Sequence, residues 1–273
     1  MLYKRNPQLN KNGELTVLNF PSVRMGPLND LSFQLARSQS GDDYLLRGRS
    51  LDGSKIGRTG SNEAPGGGQP PPPEEAFTGR FHVNARLDRL AMRAHVAITP
   101  FNLDLSSIGN RPSALTLSGN VMQGTGRAQP IAANLESGAA GRKVTVTSGD
   151  AGLLARGLFA FESMRGGDLT AVINLPGQAA DTPNPNAPAD FSGTMVVKKF
   201  EIVNQPLISR LFAAGSLTGL ADLLGGSGIS LDDWNFPFPS RNNVISVNGS
   251  RVTGPAMCAT ADGYLDRPHG MLA

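Results

Sequence analysis

The chain has 273 residues, 39% of them apolar, which is enough for a core in one large domain or two small ones and excludes a disordered protein. Its 25 Lys and Arg stand against 22 Asp and Glu and are scattered without interleaved aromatics, so the formal charge of +3 does not point to nucleic acid. A single cysteine, Cys258, excludes an internal disulfide and a cysteine-based zinc site, while 33 Gly, 20 Pro and 6% aromatics favour short strands with many turns over a helical bundle.

The opening "MLYKRNPQLNKNG" is basic but no apolar run follows it, so it reads as neither a secretory signal nor an anchor. Residues 1–59 form a β-rich first segment. Residues 60–76, with four consecutive prolines that favour polyproline II, and residues 176–190 read as linkers. They divide the chain into parts 1–59, 77–175 and 191–273.

In the middle part Phe81, Val83, Ala85 and Leu87 alternate with polar residues, the pattern of a strand with one buried face. The phase then flips to Leu90, Met92, Ala94, Val96 and Ile98, which predicts a bulge or tight turn near Asp88–Arg89. Further strands are predicted at 114–118, 131–135, 143–147 and 169–175, the last with Leu169, Ala171, Ile173 and Leu175 on one face. Between them "SGDAGLLARGLFAFESMRGG" predicts a short helix. Ser148 or Asp150 caps it, Leu153, Leu154, Leu158 and Phe161 share a side, and Gly166 closes it.

The last part opens with the strand "FSGTMVVKKFEIV", where Met195 and Val197 share one phase and Val196 and Phe200 the other. It then enters "QPLISRLFAAGSLTGLADLLGGSGISL", the most apolar stretch of the chain. Eight Leu, Ile and Phe residues between Leu207 and Leu224 contribute roughly −0.3 to −0.6 kcal/mol each to membrane insertion, against roughly +2.5 to +3.5 for a central charge such as Arg210 or Asp222. The uncharged run between those charges is 11 residues, against the roughly 20 that a span needs. Leu207, Ile208, Leu211 and Phe212 fall opposite Leu217, Leu220, Leu223 and Leu224 on a helical wheel. A helix broken at Gly215–Ser216, begun by Asn204 and Pro206, therefore packs both clusters on a sheet. After "ISLDDWNFPF", the Asn248–Gly249 and Asp262–Gly263 dipeptides predict hairpin turns.

Motifs that carry chemistry are sparse. His82, His95 and His269 lie far apart and read as surface or strand-face residues. Ser216 sits in G-S-x-x-G rather than in a nucleophile elbow, and Gly225–Gly228 lacks the Lys-Ser/Thr of a phosphate loop. Asp232 and Asp233 read as turn or edge residues, and Cys258, among small apolar neighbours, as a buried inert thiol. No catalytic residue, metal site or cofactor is predicted, and the chain reads as noncatalytic.

Taken together, "SGDAGLLARGLFAFESMRGGDL", "FSGTMVVKKFEIVNQPLISRLFAAGSLTGLADLLGGSGISL" and "VTGPAMCATADGYLDRP" resemble the C-terminal region of bacterial AsmA-like proteins, the group that includes YhdP and TamB. The resemblance runs from about Phe77 to the end. It implies a large envelope protein on the periplasmic side of the inner membrane, with an N-terminal anchor upstream and further strands downstream, of which this chain is a fragment or shortened member. It also implies a curled antiparallel β-sheet whose apolar groove conducts phospholipid toward the outer membrane.

The expected fold is thus mainly β: a curled antiparallel sheet with an apolar groove and two or three short helices packed on it. Candidate groove or helix-packing residues are Ile173, Met195, Val197, Leu207, Leu211, Phe212, Leu220 and Leu224. The expected partners are phospholipid acyl chains. A structural or regulatory module of outer-membrane assembly that carries no lipid is the alternative. A hydrolase or sugar-binding β-solenoid is the third reading, and 6% aromatics weigh against sugar stacking.

Overall fold

The computed structural model describes residues 6–9, 11, 13, 15–56, 79–109, 111–138, 141–176, 190–203, 228–241, 244–255, 258–266 and 271–272. The strands are β1 (Asn6–Leu9), β2 (Leu15–Met25), β3 (Asn29–Ser38), β4 (Gly41–Asp52), β5 (Arg80–Ala91), β6 (Val96–Ile108), β7 (Arg111–Gln123), β8 (Gln129–Gly138) and β9 (Gly141–Ser148). The helix α1 (Ala151–Phe159) follows, then β10 (Met164–Leu175), β11 (Ser192–Ile202), β12 (Ile229–Pro237), β13 (Ser240–Arg241), β14 (Val244–Thr253), β15 (Cys258–Asp266) and β16 (Met271–Leu272). The fold is mainly β, one curled, open sheet in which the strands lie side by side in chain order, with β13 off the path beside β14.

Nearly all neighbours are antiparallel, most of them joined by short connections. The exception among the described residues is β4 with β5, which run parallel. Strands on either side of both linkers therefore pair directly, β4 with β5 and β10 with β11, and the three segments share one sheet.

The predicted phase flip after Leu87 is present: Leu87 and Leu90 are both buried though three residues apart, and they pair with Phe101 and Ile98. The run does not continue as one strand, however. The chain turns at Arg93–His95, where Ala94 and His95 adopt left-handed backbone, so Met92 and Val96 enter the core from opposite sides of a hairpin.

Helix α1 begins as predicted, with the Asp150 carboxylate accepting from the Leu153 N–H at 2.8 Å. Its end differs. The backbone reverses at Ala160, left-handed, whose N–H bonds back to the Ala155 and Arg156 carbonyls, and Gly166 lies inside β10. Phe161 is exposed rather than packed with Leu154, because the helix has already stopped. α1 is the one α-helix among the described residues. The predicted broken helix at 206–224 lies outside them.

Both Asx-Gly turns are also corrected. Asn248–Gly249 lies within β14 and Asp262–Gly263 within β15, and the two dipeptides face each other where the register shifts between Val247 and Ser250. Gly249, at φ +69°, supplies a bulge, and its N–H donates to the Asp262 carboxylate. The sequence signal for left-handed backbone was real, but sheet pairing turned it into a bulge. Asp232 and Asp233 sit in the inner strand β12, not in a turn.

Candidate functional site: one apolar face across the sheet

In-register partners on neighbouring strands point to the same face of a sheet. Following the pairs from strand to strand gives one row: Phe20, Phe33, Leu46, Ala85, Leu103, Leu117, Ala133, Val146, Ala171, Met195 and Phe236. Each member is apolar, from β2 to β12. At a strand spacing of about 4.8 Å the row spans about 48 Å.

A second row on this face runs Val23, Leu31, Gly48, Leu87, Phe101, Gly119, Ile131, Ser148, Leu169, Val197, Trp234, Val252 and Ala259. On the opposite face the row Ser32, Arg47, Arg86, Asn102, Ser118, Ala132, Thr147, Thr170, Val196, Asn235, Arg251 and Thr260 is almost entirely polar. The sheet is amphipathic along its width.

The apolar face is covered unevenly. α1 lies over its middle, where Leu154 is buried with Val96, Val121 and Ile131, and Ala151 with Val197 and Phe200. On either side of α1 a cavity opens on the same face. One, of about 540 Å³, is lined by Phe20, Val23, Leu31, Phe33, Leu46 and Leu51 together with Met25 and Asn29. The other, of about 270 Å³, is lined chiefly by Phe200, Ile229, Leu231, Trp234, Phe236 and Val252.

Each end of the face is aromatic. Phe20, Phe33 and Tyr44 stack in sequence at centroid distances of 6.1 and 6.3 Å. Phe200, Trp234, Phe236 and Phe238 follow one another at 6.1, 5.5 and 6.0 Å. Trp234 satisfies its indole N–H on the buried Ser250 hydroxyl at 2.9 Å, leaving its rings to the apolar side. Phe238 lies directly over Gly193, where a Cβ would come within 2.3 Å of its ring.

Among the predicted site residues, Ile173, Met195 and Val197 stand on this one face. Ile173 pairs with Val144 and Gly193, Met195 with Ala171 and Phe236, and Val197, 1% exposed, with Leu169 and Trp234. Phe200 joins them although its phase differs: Lys199 between them is left-handed, while the pairing with β10 and β12 keeps its register. Leu207, Leu211, Phe212, Leu220 and Leu224 lie outside the described residues. Sequence reasoning missed the aromatic ends, although "LSFQL" carries the same alternation as "FHVNARL".

Ionisable groups gather on the other face. His82 reaches Asp104 at 3.1 Å and Asp43 at 3.4 Å, and Asn84 bridges Asp104 to Arg47. Burial acts to raise the Asp104 pKa, but hydrogen bonds from His82 and Asn84 outweigh it and hold the carboxyl below its usual range. His95 is exposed, and so is Cys258, contrary to the buried thiol expected: it opens β15, where small neighbours do not form a core. Among the described residues no three His, Cys, Asp or Glu side chains gather to hold a metal, and no helix is long and apolar enough to cross a membrane.

The geometry defines a mainly β protein organised around an open sheet with one apolar and one polar face. No family model, curated protein or solved structure matches the chain.

Proposed function

We propose that this chain is a noncatalytic segment of a cell-envelope protein that holds phospholipid acyl chains on the apolar face and conducts them between the inner and outer membranes. The unbroken apolar row from Phe20 to Phe236 carries this reading. Its length of about 48 Å is several times the ~15 Å that one leaflet's hydrocarbon occupies. An acyl chain on the face gains about 0.8 kcal/mol for each CH₂ removed from water. No residue along the row offers a polar stop to a chain lying on either side of α1.

The resemblance of "SGDAGLLARGLFAFESMRGGDL" and the stretches after it to AsmA-like proteins supports the same reading, and what it implies is work on the periplasmic side of the inner membrane. The competing reading is a structural or regulatory module of outer-membrane assembly that carries no lipid. It is favoured by α1, which covers part of the face with the chain's own side chains. Native mass spectrometry of the protein purified from bacterial membranes separates the two. Co-purifying phospholipid, lost in Phe33→Asp and Phe236→Asp variants that keep their melting temperature, supports conduction. A folded protein free of lipid supports the module.

A further inference from the structure

Of the eight large apolar side chains that stand exposed among the described residues, five lie at one end of the strands: Met25, Leu28, Ile56, Phe159 and Phe161, 39–67% exposed. The ladder puts them on one side. Met25 pairs with Asn29 around the β2–β3 turn, Asp52 with Ala91, and Val96 with Gln123. The β2–β3 turn, the end of β4, the Arg93–His95 turn and the β7–β8 turn therefore all leave the sheet at the same end. These turns are also tied to one another. The Asn29 Oδ1 accepts from the Asp52 N–H at 2.9 Å, and the Gln123 side-chain amide donates to the Ala94 carbonyl at 2.8 Å. The Arg93 guanidinium donates to the main-chain carbonyls of Ile56 and Leu158, which sets Ile56 beside the end of α1, where Phe159 and Phe161 follow.

Single exposed apolar residues are ordinary on a protein surface, but several gathered at one end mark a contact surface. Here they stand on separate turns with cations among them. Lys55 and Arg127 are exposed on the same turns, and neither enters an ion pair among the described residues. Asp52 lies beside Lys55, but its carboxylate takes the Ser54 N–H at 2.9 Å, and Glu162 is the exposed carboxylate next to Phe161. From the β2–β3 turn to the β7–β8 turn is about four strand spacings, or about 19 Å. Apolar tips interleaved with cations over that width suit a fluid partner that yields to each tip: the headgroup and upper acyl region of a bilayer, where aromatic rings and cationic side chains gather. The other end of the strands differs. A cleft of about 250 Å³ there is lined by polar and charged side chains, among them Asp42, Asp43, Arg80 and His82.

We propose that this rim seats the sheet on an anionic phospholipid bilayer, with Ile56, Phe159 and Phe161 entering the interface and Lys55 and Arg127 against the lipid phosphates. The cavity of about 540 Å³ on the apolar face reaches the same rim at Met25 and Asn29. An acyl chain leaving the leaflet there meets Met25 first, then Val23 and Leu31. The inference rests on the lipid-holding reading of the face and adds to it the end of the strands at which lipid enters.

The test is co-sedimentation of the whole chain with vesicles of phosphatidylcholine and phosphatidylglycerol, beside native mass spectrometry for co-purified phospholipid. Ile56→Asp with Phe159→Asp is expected to weaken vesicle binding about tenfold or more. The melting temperature is expected to stay that of the parent, because both side chains are exposed. Phe159→Ser with Phe161→Ser, which adds no charge, is expected to weaken binding in the same direction. Leu9→Asp with Tyr264→Asp, exposed toward the other end of the strands, is expected to leave it unchanged. Lys55→Gln with Arg127→Gln is expected to lower binding to the level that the parent shows on phosphatidylcholine alone. A parent that carries phospholipid yet does not bind vesicles overturns the docking rim and leaves the apolar face standing. A parent that does neither overturns both. Equal loss in the two aspartate pairs, or loss in neither, overturns the assignment to this end.

Discussion

Met195 on β11 lies directly across from Phe236 on β12 on the apolar face, while Val196, one residue later, lies across from Asn235 on the polar one. The alternation decides what each neighbouring position of β11 tolerates. Val197, 1% exposed between Leu169 and Trp234, has no water to solvate a charge. Val197→Asp is expected to cost about 3–5 kcal/mol, and Thr194→Asp, exposed on the other face, less than about 0.5. Chemical denaturation of both variants checks this. Equal losses mean that β11 is covered on both sides.

The cap of α1 can be tested alone. Asp150→Ala removes the acceptor of the Leu153 N–H and is expected to cost about 1 kcal/mol, whereas Asp150→Asn keeps an acceptor and retains most of it. Because α1 divides the apolar face, the Ala variant is also expected to loosen Leu154 over Val121. Faster amide exchange confined to α1 is the signature to look for.

Asp30 joins three strands, taking hydrogen bonds from Arg49 on β4 and Arg24 on β2. These bonds, Arg49's foremost, hold its pKa below the ordinary 3.8. A carboxylate depressed in the folded state contributes stability that is present above its unfolded pKa and is lost as the pH falls through the lower folded one. The melting-temperature difference between the parent and Asp30→Asn is therefore expected to be steady above about pH 4 and to vanish in stronger acid. A difference that persists unchanged at pH 2 rules out this clamp.

Cys258 opens β15 in the open, so it is expected to react with a thiol reagent in the native protein as fast as in the unfolded one. Slow labelling under native conditions contradicts that exposure. Cys258→Ser, His82→Gln and His95→Gln are each expected to leave lipid co-purification intact. Loss of function in any of them, with the fold preserved, overturns the noncatalytic reading. The same expectation extends to His269 and Ser216, which lie outside the described residues.

Much of the sheet was legible because period-2 alternation is local. The strands over Phe81–Leu87, Ile131–Leu135 and Leu169–Leu175 announce their buried faces without reference to any neighbour. A cap at Ser148 or Asp150 was legible for the same reason, and the structure assigns it to Asp150, whose partner Leu153 is three residues away. The phase of Phe200 was not, because it depends on the left-handed backbone of Lys199, a residue that carries no local sign of it. The Asn248–Gly249 turn was misread because a left-handed glycine suits both a turn and a bulge. Only the pairing of β14 with β15 distinguishes them.

By itself the sequence determined that this protein is mainly β, that its strands have one apolar face and that a short helix starts from a cap at Ser148 or Asp150, since each of these follows from residues within one or two turns of one another. Only the tertiary structure decided that Phe20 and Phe236, far apart in the chain, end the same row, that β4 and β5 run parallel, and that Arg142 reaches across β8 to Pro112. Those relationships depend on register between strands. Register is fixed by the summed burial of every pair along the ladder and is written in no single stretch of residues.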